Sequence, residues 1–358
     1  MTASDIVAPV AGPTSSNKHS TRVRVPGKVI LSGEHAVIYG APALACAIQM
    51  YAFAAVTTSS ASGVRLKVPE FGIDQSFSVL QLFQLAQQTQ SRHRQYLTAS
   101  GLLSNVVLNP TEFFAAALGA SGLATLLSDQ HGLVIELSLD LIAGGGMGSS
   151  AALVAAMLAA SFKHVGEPLT PAELVLKTTQ SEHWQHGRSS GVDPYVCVMG
   201  GLQQYHKGYG ERHVIKQLTQ YFLVTTGKPK SSTGECVDAV KQQGFPNTLW
   251  QEFSIVQENL RTALQLNQSM KMCNAVKANH QLLKQIGVVP TLVCEFIDNI
   301  EAQGGAAKIC GAGSVVGDLG GLVFVVGLNQ ALIEQLCLNY GYGVQAMCPD
   351  LQGVVYFE

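Results

Sequence analysis

The sequence predicts an α+β protein with two domains, and three observations support this. Its 358 residues are enough for two hydrophobic cores. Charged residues make up only 13% and hydrophobic residues 47%, which is typical of a heavily buried protein. Strand-like and helix-like segments also follow one another irregularly and without an internal repeat, which favours α+β layers over a βα barrel.

The first predicted elements end at a cluster of glycines. Residues Thr21 to Leu31 alternate polar and apolar side chains up to a break at Pro26 and Gly27, which indicates a strand. Leu44 to Ser60 suits a second, buried strand, and His131 to Leu141 alternates again. Ala151 to Phe162, rich in Ala and Leu, predicts a helix directly after the glycines.

A second domain is predicted from residue 208. Tyr221 to Thr225 and Leu322 to Val326 read as strands, and a helix near Gln330 to Tyr340 ends at Gly341. Another helix is predicted from regularly spaced apolar residues after a cap at Asn247 or Thr248, and a last strand closes the chain. The predicted division is a flexible segment over 1–20, an N-terminal domain over 21–207 and a C-terminal domain over 208–358.

Composition excludes several classes of partner. The formal charge is −2 without a dense run of Lys or Arg, so we expect no nucleic acid and no anionic membrane surface as a partner. The eight cysteines form no CxxC pair, which argues against a zinc ribbon or a disulfide scaffold. No export signal is visible, and Phe113 to Leu127 is too short and too interrupted to span a membrane, so a cytoplasmic protein is expected.

The glycine cluster, "GGGMGSS" from Gly144 to Ser150, is called the phosphate loop below. The start of a helix carries unpaired NH groups and a partial positive charge, so glycines there let the backbone approach a phosphate closely. The hydroxyls of Ser149 and Ser150 are able either to cap the helix or to bind magnesium. The alternative is a tight turn packed against a sheet.

Three segments together resemble the signatures of the GHMP kinases: "PGKVILSGEHAVIYG", "GGGMGSSAA" and "SGVDPYVCVMGG". A later "KICGAGS", from Lys308 to Ser314, extends the resemblance over most of the chain. The resemblance implies an N-terminal domain like the second domain of ribosomal protein S5 and a ferredoxin-like C-terminal domain. It further implies that ATP and the acceptor meet in the cleft between them, with a homodimer as the assembly.

By matching positions, the resemblance assigns ATP and Mg²⁺ to this chain. The residues around the ATP phosphates are Gly144, Gly145, Gly146, Met147, Gly148, Ser149 and Ser150. Ser150 and Glu182 match the magnesium ligands, while Asp193 matches the catalytic aspartate and Lys28 its lysine partner. Such groups suit phosphoryl transfer, which requires charge neutralisation, positioning of the hydroxyl and a proton acceptor.

The acceptor side is assigned in the same way to Lys28, Glu34, His35, Arg188 and Thr233. A carboxylate and an imidazole are able to bond hydroxyls of a small polyol or hydroxy acid, and Arg188 to grip a carboxylate. The alternative for Glu34 and His35 is that they pair only with each other. One extra residue leaves the register of Thr233 open. His183 and His186 lack the HExxH order and are interpreted as structural or rim residues.

The "GEHAVIYG" stretch favours mevalonate as the small-molecule substrate, because galactokinase-like sequences usually carry an Asp soon after "GEH". Another GHMP kinase that acts on a sugar and a non-catalytic ligand-binding homologue are the alternatives. One departure stands out after "GAG", where the family usually has more glycine and this chain has Ser314, Val315 and Val316. Valine resists positive φ angles, so a different loop shape is expected there.

Overall fold

A computed structural model describes residues 20–98, 102–127, 131–142, 145–214 and 221–357. The predicted flexible segment over 1–20 therefore lies outside the described residues, apart from Ser20, which begins the first strand. No helix in these ranges is long and apolar enough to cross a membrane.

The strands belong to two separate sheets. In chain order they are β1 Ser20–Ser32, β2 Ala43–Ser59, β3 Val64–Val68, β4 Ile73–Phe77, β5 Gly132–Leu139, β6 Leu202–His206, β7 Tyr209–His213, β8 Tyr221–Thr225, β9 Ala306–Cys310, β10 Leu322–Val326, β11 Gly343–Ala346 and β12 Val355–Phe357.

The helices lie in three stretches of the chain, before β5, between β5 and β6, and after β8. In chain order they are α1 Val79–Leu97, α2 Pro110–Ala120, α3 Ser149–His164, α4 Pro171–His186, α5 Val192–Met199, α6 Thr233–Gln243, α7 Asn247–Gln265, α8 Ser269–Gln285, α9 Thr291–Ala302 and α10 Gln330–Tyr340. Short 3₁₀ turns cover Ala36–Tyr39, Pro69–Phe71, Leu103–Asn105 and Leu123–Leu126.

The described strands form a larger sheet in the order β12-β1-β2-β5-β3-β4, to which β6 and β7 add through β2, and a smaller sheet in the order β11-β8-β10-β9. All pairs are antiparallel except β3 with β5. The β1–β2 register shifts between Pro26 and Gly27, where the sequence predicts a break. These two sheets with their helices confirm the predicted α+β class.

The strands near the predicted domain boundary all belong to the larger sheet. The boundary between residues 207 and 208 falls in the turn joining β6 to β7, and these two strands pair with each other. The predicted last strand forms, and it pairs with β1 through Arg22 opposite Phe357. The end of the chain thus returns to the sheet in which the described chain begins, while the division at 207/208 stays a prediction.

Helix α3 begins directly at the end of the phosphate loop. Its residues from Ala151 to Phe162 are all buried, so the helix is surrounded by protein on every side. The predicted helix is confirmed and is longer at both ends. The predicted cap of α7 at Asn247 or Thr248 is wrong, because the N-cap residue is Pro246 and no side chain bonds the first turn.

Candidate active site

The phosphate loop packs between the two sheets in a conformation that requires glycine. Gly146 and Gly148 have φ angles of +87° and +70°. A Cβ on Gly146 would lie 2.8 Å from the carbonyl oxygen of Cys310 on β9. The loop therefore sits directly against the smaller sheet. Gly144 lies outside the described residues, so its predicted ATP contact has no structural account.

The start of α3 leaves two hydroxyl groups open to a cavity. The N-cap residue of α3 is Gly148, and no side chain caps the helix. Ser149 and Ser150 are partly exposed and line the cavity together with Gly145 and Gly146. Met147, by contrast, has its side chain in the hydrophobic core. Of the two roles considered for the serines, capping is therefore wrong.

Lys28 and Asp193 meet beneath this loop. The ammonium nitrogen of Lys28 lies 3.0 Å from a carboxylate oxygen of Asp193 and donates a hydrogen bond to the Gly146 carbonyl, also at 3.0 Å. Only 2% of the Lys28 side chain is exposed, against 29% for Asp193. Asp193 sits in the first turn of α5, after Gly191 at φ +84°. A buried lysine at this position is not the solvated surface charge that an isolated Lys usually is.

Glu182 brings a second carboxylate to the same region. Its side chain is buried, and one oxygen lies 3.4 Å from Nε2 of His186 one helical turn later. The other oxygen, Oε1, has no hydrogen-bond partner among the described residues. An unpaired buried carboxylate oxygen is costly unless a cation or donor satisfies it. Glu182 and the open hydroxyl of Ser150 therefore suit a hard cation such as magnesium.

His186 is the residue that the sequence interpretation undervalued. It lines the cavity, and its ring faces Glu182 at i, i+4 spacing on α4. Burial lowers the pKa of this imidazole, but the hydrogen bond to Glu182 and the charges of Glu182 and Asp193 outweigh it, so the pKa is raised overall. That spacing was the available signal. Within the described residues there is no group of three or more His, Cys, Asp or Glu side chains arranged to hold a metal.

Glu34 and His35 do not pair with each other. Glu34 forms a buried ion pair with Lys308 of β9, while His35 has its Nε2 3.0 Å from the carbonyl oxygen of Ala312. Burial raises the pKa of the Glu34 carboxyl, and the nearby charges of Lys308 and Lys28 act in the opposite direction. Burial also lowers the pKa of His35, against the contact with Ala312. The alternative of a local Glu34–His35 pair is therefore wrong.

Thr233 and Arg188 differ in their position relative to the cavity. Thr233 is the first residue of α6 and lines the cavity with an exposed side chain. Arg188 is exposed in the loop after α4 and is not among the residues that line the cavity. Of the predicted acceptor residues, the structure thus places Thr233 in the cavity wall, whereas Lys28, Glu34, His35 and Arg188 are not among the residues that line it.

The cavity has a volume of about 950 Å³, in the upper part of the usual range for small-molecule sites. Its wall includes the apolar side chains Phe71, Phe113 and Trp184. Glycines of the phosphate loop and of the segment after β9 also line it. Lys228 and Lys230 add two exposed cations, which the sequence analysis did not single out. The cavity therefore combines apolar side chains with glycine-rich backbone and charged side chains.

The segment after "GAG" avoids strain at its valines. The left-handed positions are Gly311, Gly313 and Gly317, whereas Val315 and Val316 have ordinary negative φ angles. Ser314 is buried, and its hydroxyl donates to the Val316 carbonyl at 2.7 Å. This is the physical outcome expected of β-branched residues.

The fold and this site are similar to those of the GHMP kinases. The GHMP kinase N-terminal domain family matches residues 106–201. The chain shares the two-domain α+β fold of these ATP-dependent small-molecule kinases. Among named relatives, a mevalonate kinase of Thermococcus sibiricus is 26% identical over 302 residues, covering 80% of this chain and 85% of the relative.

Solved structures support the fold. Mevalonate kinase of Methanococcus jannaschii superposes with a TM-score of 0.72 at 18% identity, over 92% of this chain and 98% of the other. Galactokinase of Lactococcus lactis, complexed with galactose, gives a TM-score of 0.70 at 13% identity, over 94% of this chain and 95% of the galactokinase chain. Because a mevalonate kinase and a sugar kinase fit almost equally well, the fold by itself does not select the acceptor.

Proposed function

We propose that this chain transfers the γ-phosphoryl group of ATP to the 5-hydroxyl of mevalonate, giving 5-phosphomevalonate and ADP in isoprenoid biosynthesis. The observation that carries the chemistry is the contact between Lys28 and Asp193 beneath the phosphate loop. The acceptor follows from relatives over most of the chain that are named mevalonate kinase.

In the proposed reaction the 5-hydroxyl oxygen attacks the γ-phosphorus while the bond from that phosphorus to the β–γ bridging oxygen breaks. The hydroxyl proton passes to the Asp193 carboxylate. Lys28, 3.0 Å from that carboxylate, stabilises negative charge on the entering oxygen. Its second hydrogen bond, to the Gly146 carbonyl, fixes the ammonium group relative to the phosphate loop.

The proposed phosphate cradle is Gly144 to Ser150, with backbone NH groups and the start of α3 facing the triphosphate. Ser150 and Glu182 would hold Mg²⁺, because the Glu182 Oε1 oxygen lacks a partner among the described residues. When bound, this ion neutralises charge on the phosphate oxygens. Glu34, His35, Thr233 and Arg188, with Lys28, are proposed on the acceptor side.

The test is a coupled assay of ADP release with mevalonate, phosphomevalonate, homoserine and galactose, followed by identification of the phosphorylated product. Turnover confined to mevalonate is the expected result. Turnover with galactose alone would favour a sugar kinase, and no turnover with any acceptor would favour a non-catalytic ligand-binding homologue.

Three further predictions concern the whole molecule. We also propose a domain boundary between residues 207 and 208, a homodimer and a cytoplasmic location. Light scattering of the purified protein tests the dimer, and fractionation of the source cells tests the location. Limited proteolysis tests the division, since a domain boundary at residue 208 predicts cleavage in the β6–β7 turn and two stable fragments.

A further inference from the structure

A buried ion pair joins β9 of the smaller sheet to the turn that follows β1 of the larger sheet, behind the wall of the cavity. Lys308 on β9 is fully buried, and its ammonium group contacts one oxygen of Glu34 and donates to the Ile30 carbonyl at 3.1 Å. Glu34 is 1% exposed. A lysine removed from water in this way is costly unless its partners are fixed.

The second carboxylate oxygen of Glu34, Oε2, has no hydrogen-bond partner among the described residues. Lys308 therefore holds one oxygen, while the other is buried without a partner among the described residues. The charge of Lys28 acts on the same carboxyl, which places Glu34 in the electrostatic environment of the proposed reaction centre. An unpaired buried acceptor of this kind fits a hydroxyl donor.

The KICGAGS segment holds the neighbouring residues as well. The Ala312 carbonyl lies 3.0 Å from the His35 ring nitrogen Nε2, and the Cys310 carbonyl faces Gly146 of the phosphate loop so closely that a Cβ there would lie 2.8 Å away. Within a few residues, this segment contacts both the proposed acceptor side and the proposed phosphate side.

We infer that Lys308 is a positioning residue, which fixes Glu34 so that its free oxygen accepts a hydrogen bond from a hydroxyl group of the acceptor. The inference deepens the proposed function and rests on it. Glu34 supplies the contact, and Lys308 acts through Glu34. The alternative is a pair that only stabilises the junction between the sheets.

The test is a cycle of Lys308→Met, Glu34→Gln and the double variant, with steady-state kinetics and chemical denaturation of each. Loss of a hydrogen bond to a charged group predicts that Lys308→Met raises the KM of the acceptor by about 10- to 100-fold, with the KM of ATP changed by less than about threefold. The double variant contains no unpaired buried charge, so it regains stability but keeps the high acceptor KM.

A merely structural pair gives the opposite pattern. In that case the double variant recovers both stability and the acceptor KM, and this result would overturn the inference. Lys67→Met is the matched control, because Lys67 pairs with Glu136 at 2.7 Å on the surface of the larger sheet. Its kinetics should stay within about twofold of the parent. If Lys308→Met does not fold, Glu34→Gln and the double variant still decide between the two patterns.

The pH dependence of kcat/KM for the acceptor tests the inference independently of protein stability. The charged groups whose effects on Glu34 are resolved are Lys308 from β9 and Lys28 from β1, and both lower its pKa against the effect of burial. Without Lys308 the carboxyl binds its proton at higher pH, so the acid limb of kcat/KM for the acceptor moves upward in Lys308→Met. An unmoved acid limb contradicts the inference.

Failure of the proposed function can be told apart from failure of the inference about Lys308. If the parent enzyme phosphorylates another acceptor instead of mevalonate, the proposed substrate is wrong, and the same cycle is then measured with that acceptor. If the parent protein phosphorylates no acceptor, the affinity of each variant for mevalonate is measured by calorimetry. An unchanged affinity in Lys308→Met would then overturn the inference.

Discussion

Replacing Asp193 by Asn removes the proposed proton acceptor while leaving the shape of the side chain nearly unchanged. The carboxylate lies 3.0 Å from the Lys28 ammonium group, where two unit charges attract by about 5 kcal/mol at an effective dielectric constant of about 20. Desolvation of Lys28 and solvent around the partly exposed Asp193 offset much of this attraction. We therefore expect the free energy of unfolding to fall by about 1–3 kcal/mol.

The effect of Asp193→Asn on turnover should be far larger than its effect on folding. A lost general base lowers kcat by about 100- to 10,000-fold. The KM of ATP should change by less than about threefold, because Asp193 is not assigned to the phosphate cradle. The assay is ADP release at saturating ATP and mevalonate, together with urea denaturation.

Asp74→Asn is the control for Asp193→Asn, since Asp74 forms a surface ion pair with Arg65 at 2.7 Å. It removes one carboxylate far from the proposed chemistry and should leave kcat unchanged. Turnover of folded Asp193→Asn within a few-fold of the parent would refute the role of Asp193 in proton transfer.

Three other substitutions probe the same site. Glu182→Gln should raise the Mg²⁺ concentration for half-maximal rate by at least about tenfold, since a neutral amide is a weaker ligand, and an unchanged magnesium titration would remove Glu182 from the cation site. Gly148→Ala should lower both stability and kcat, because φ is +70° and the new methyl would lie 3.0 Å from the Lys28 side chain. Arg188→Ala should raise the KM of mevalonate more than that of ATP. An unchanged KM of mevalonate in this variant would show that Arg188 does not bind the acceptor.

Individual helices and strands of this fold can be predicted from the sequence, because the residues that form each element also indicate its type. The apolar run after the phosphate loop predicts α3, and the valine-rich apolar run Leu322 to Val326 predicts β10. The partner of the last strand is not written in that strand. Val355–Phe357 pairs with β1 across almost the whole chain, and only tertiary packing determines such a pairing.

The candidate site divides in the same way. Lys28 and Asp193 lie far apart in the sequence, so spacing alone does not predict their contact, and the resemblance to a family supplied it. The contact of His186 with Glu182 is predictable from their i, i+4 spacing on a helix, whereas the sequence analysis compares these histidines only with a metal motif. Ser149 and Ser150 were left open between two roles, because a glycine N-cap is visible only in the folded backbone.

Lys308 shows why a buried charge is difficult to interpret from sequence. It stands in the run "AAKIC", where all five residues are buried, and nothing nearby in the chain offers it a counter-ion. The partner, Glu34, lies in the turn after β1 of the other sheet, and the sequence analysis assigns it to the acceptor or to a pair with His35. A lysine inside an apolar strand is nevertheless a usable signal, since such a charge must find a carboxylate or a carbonyl group elsewhere in the fold.

The position of this lysine bears on how the superfamily fold accommodates different acceptors. Backbone NH groups and glycines in the phosphate loop suit any triphosphate and do not distinguish one acceptor from another. Selection among hydroxyl compounds requires side chains held rigidly opposite that loop. Here the rigidity comes from the smaller sheet, because β9 contacts Glu34 through Lys308 and Gly146 through the Cys310 carbonyl. A change in how β9 sits against the larger sheet would therefore shift the acceptor and the phosphate cradle together, so substitutions in the β9 core are expected to alter acceptor selectivity as well as rate.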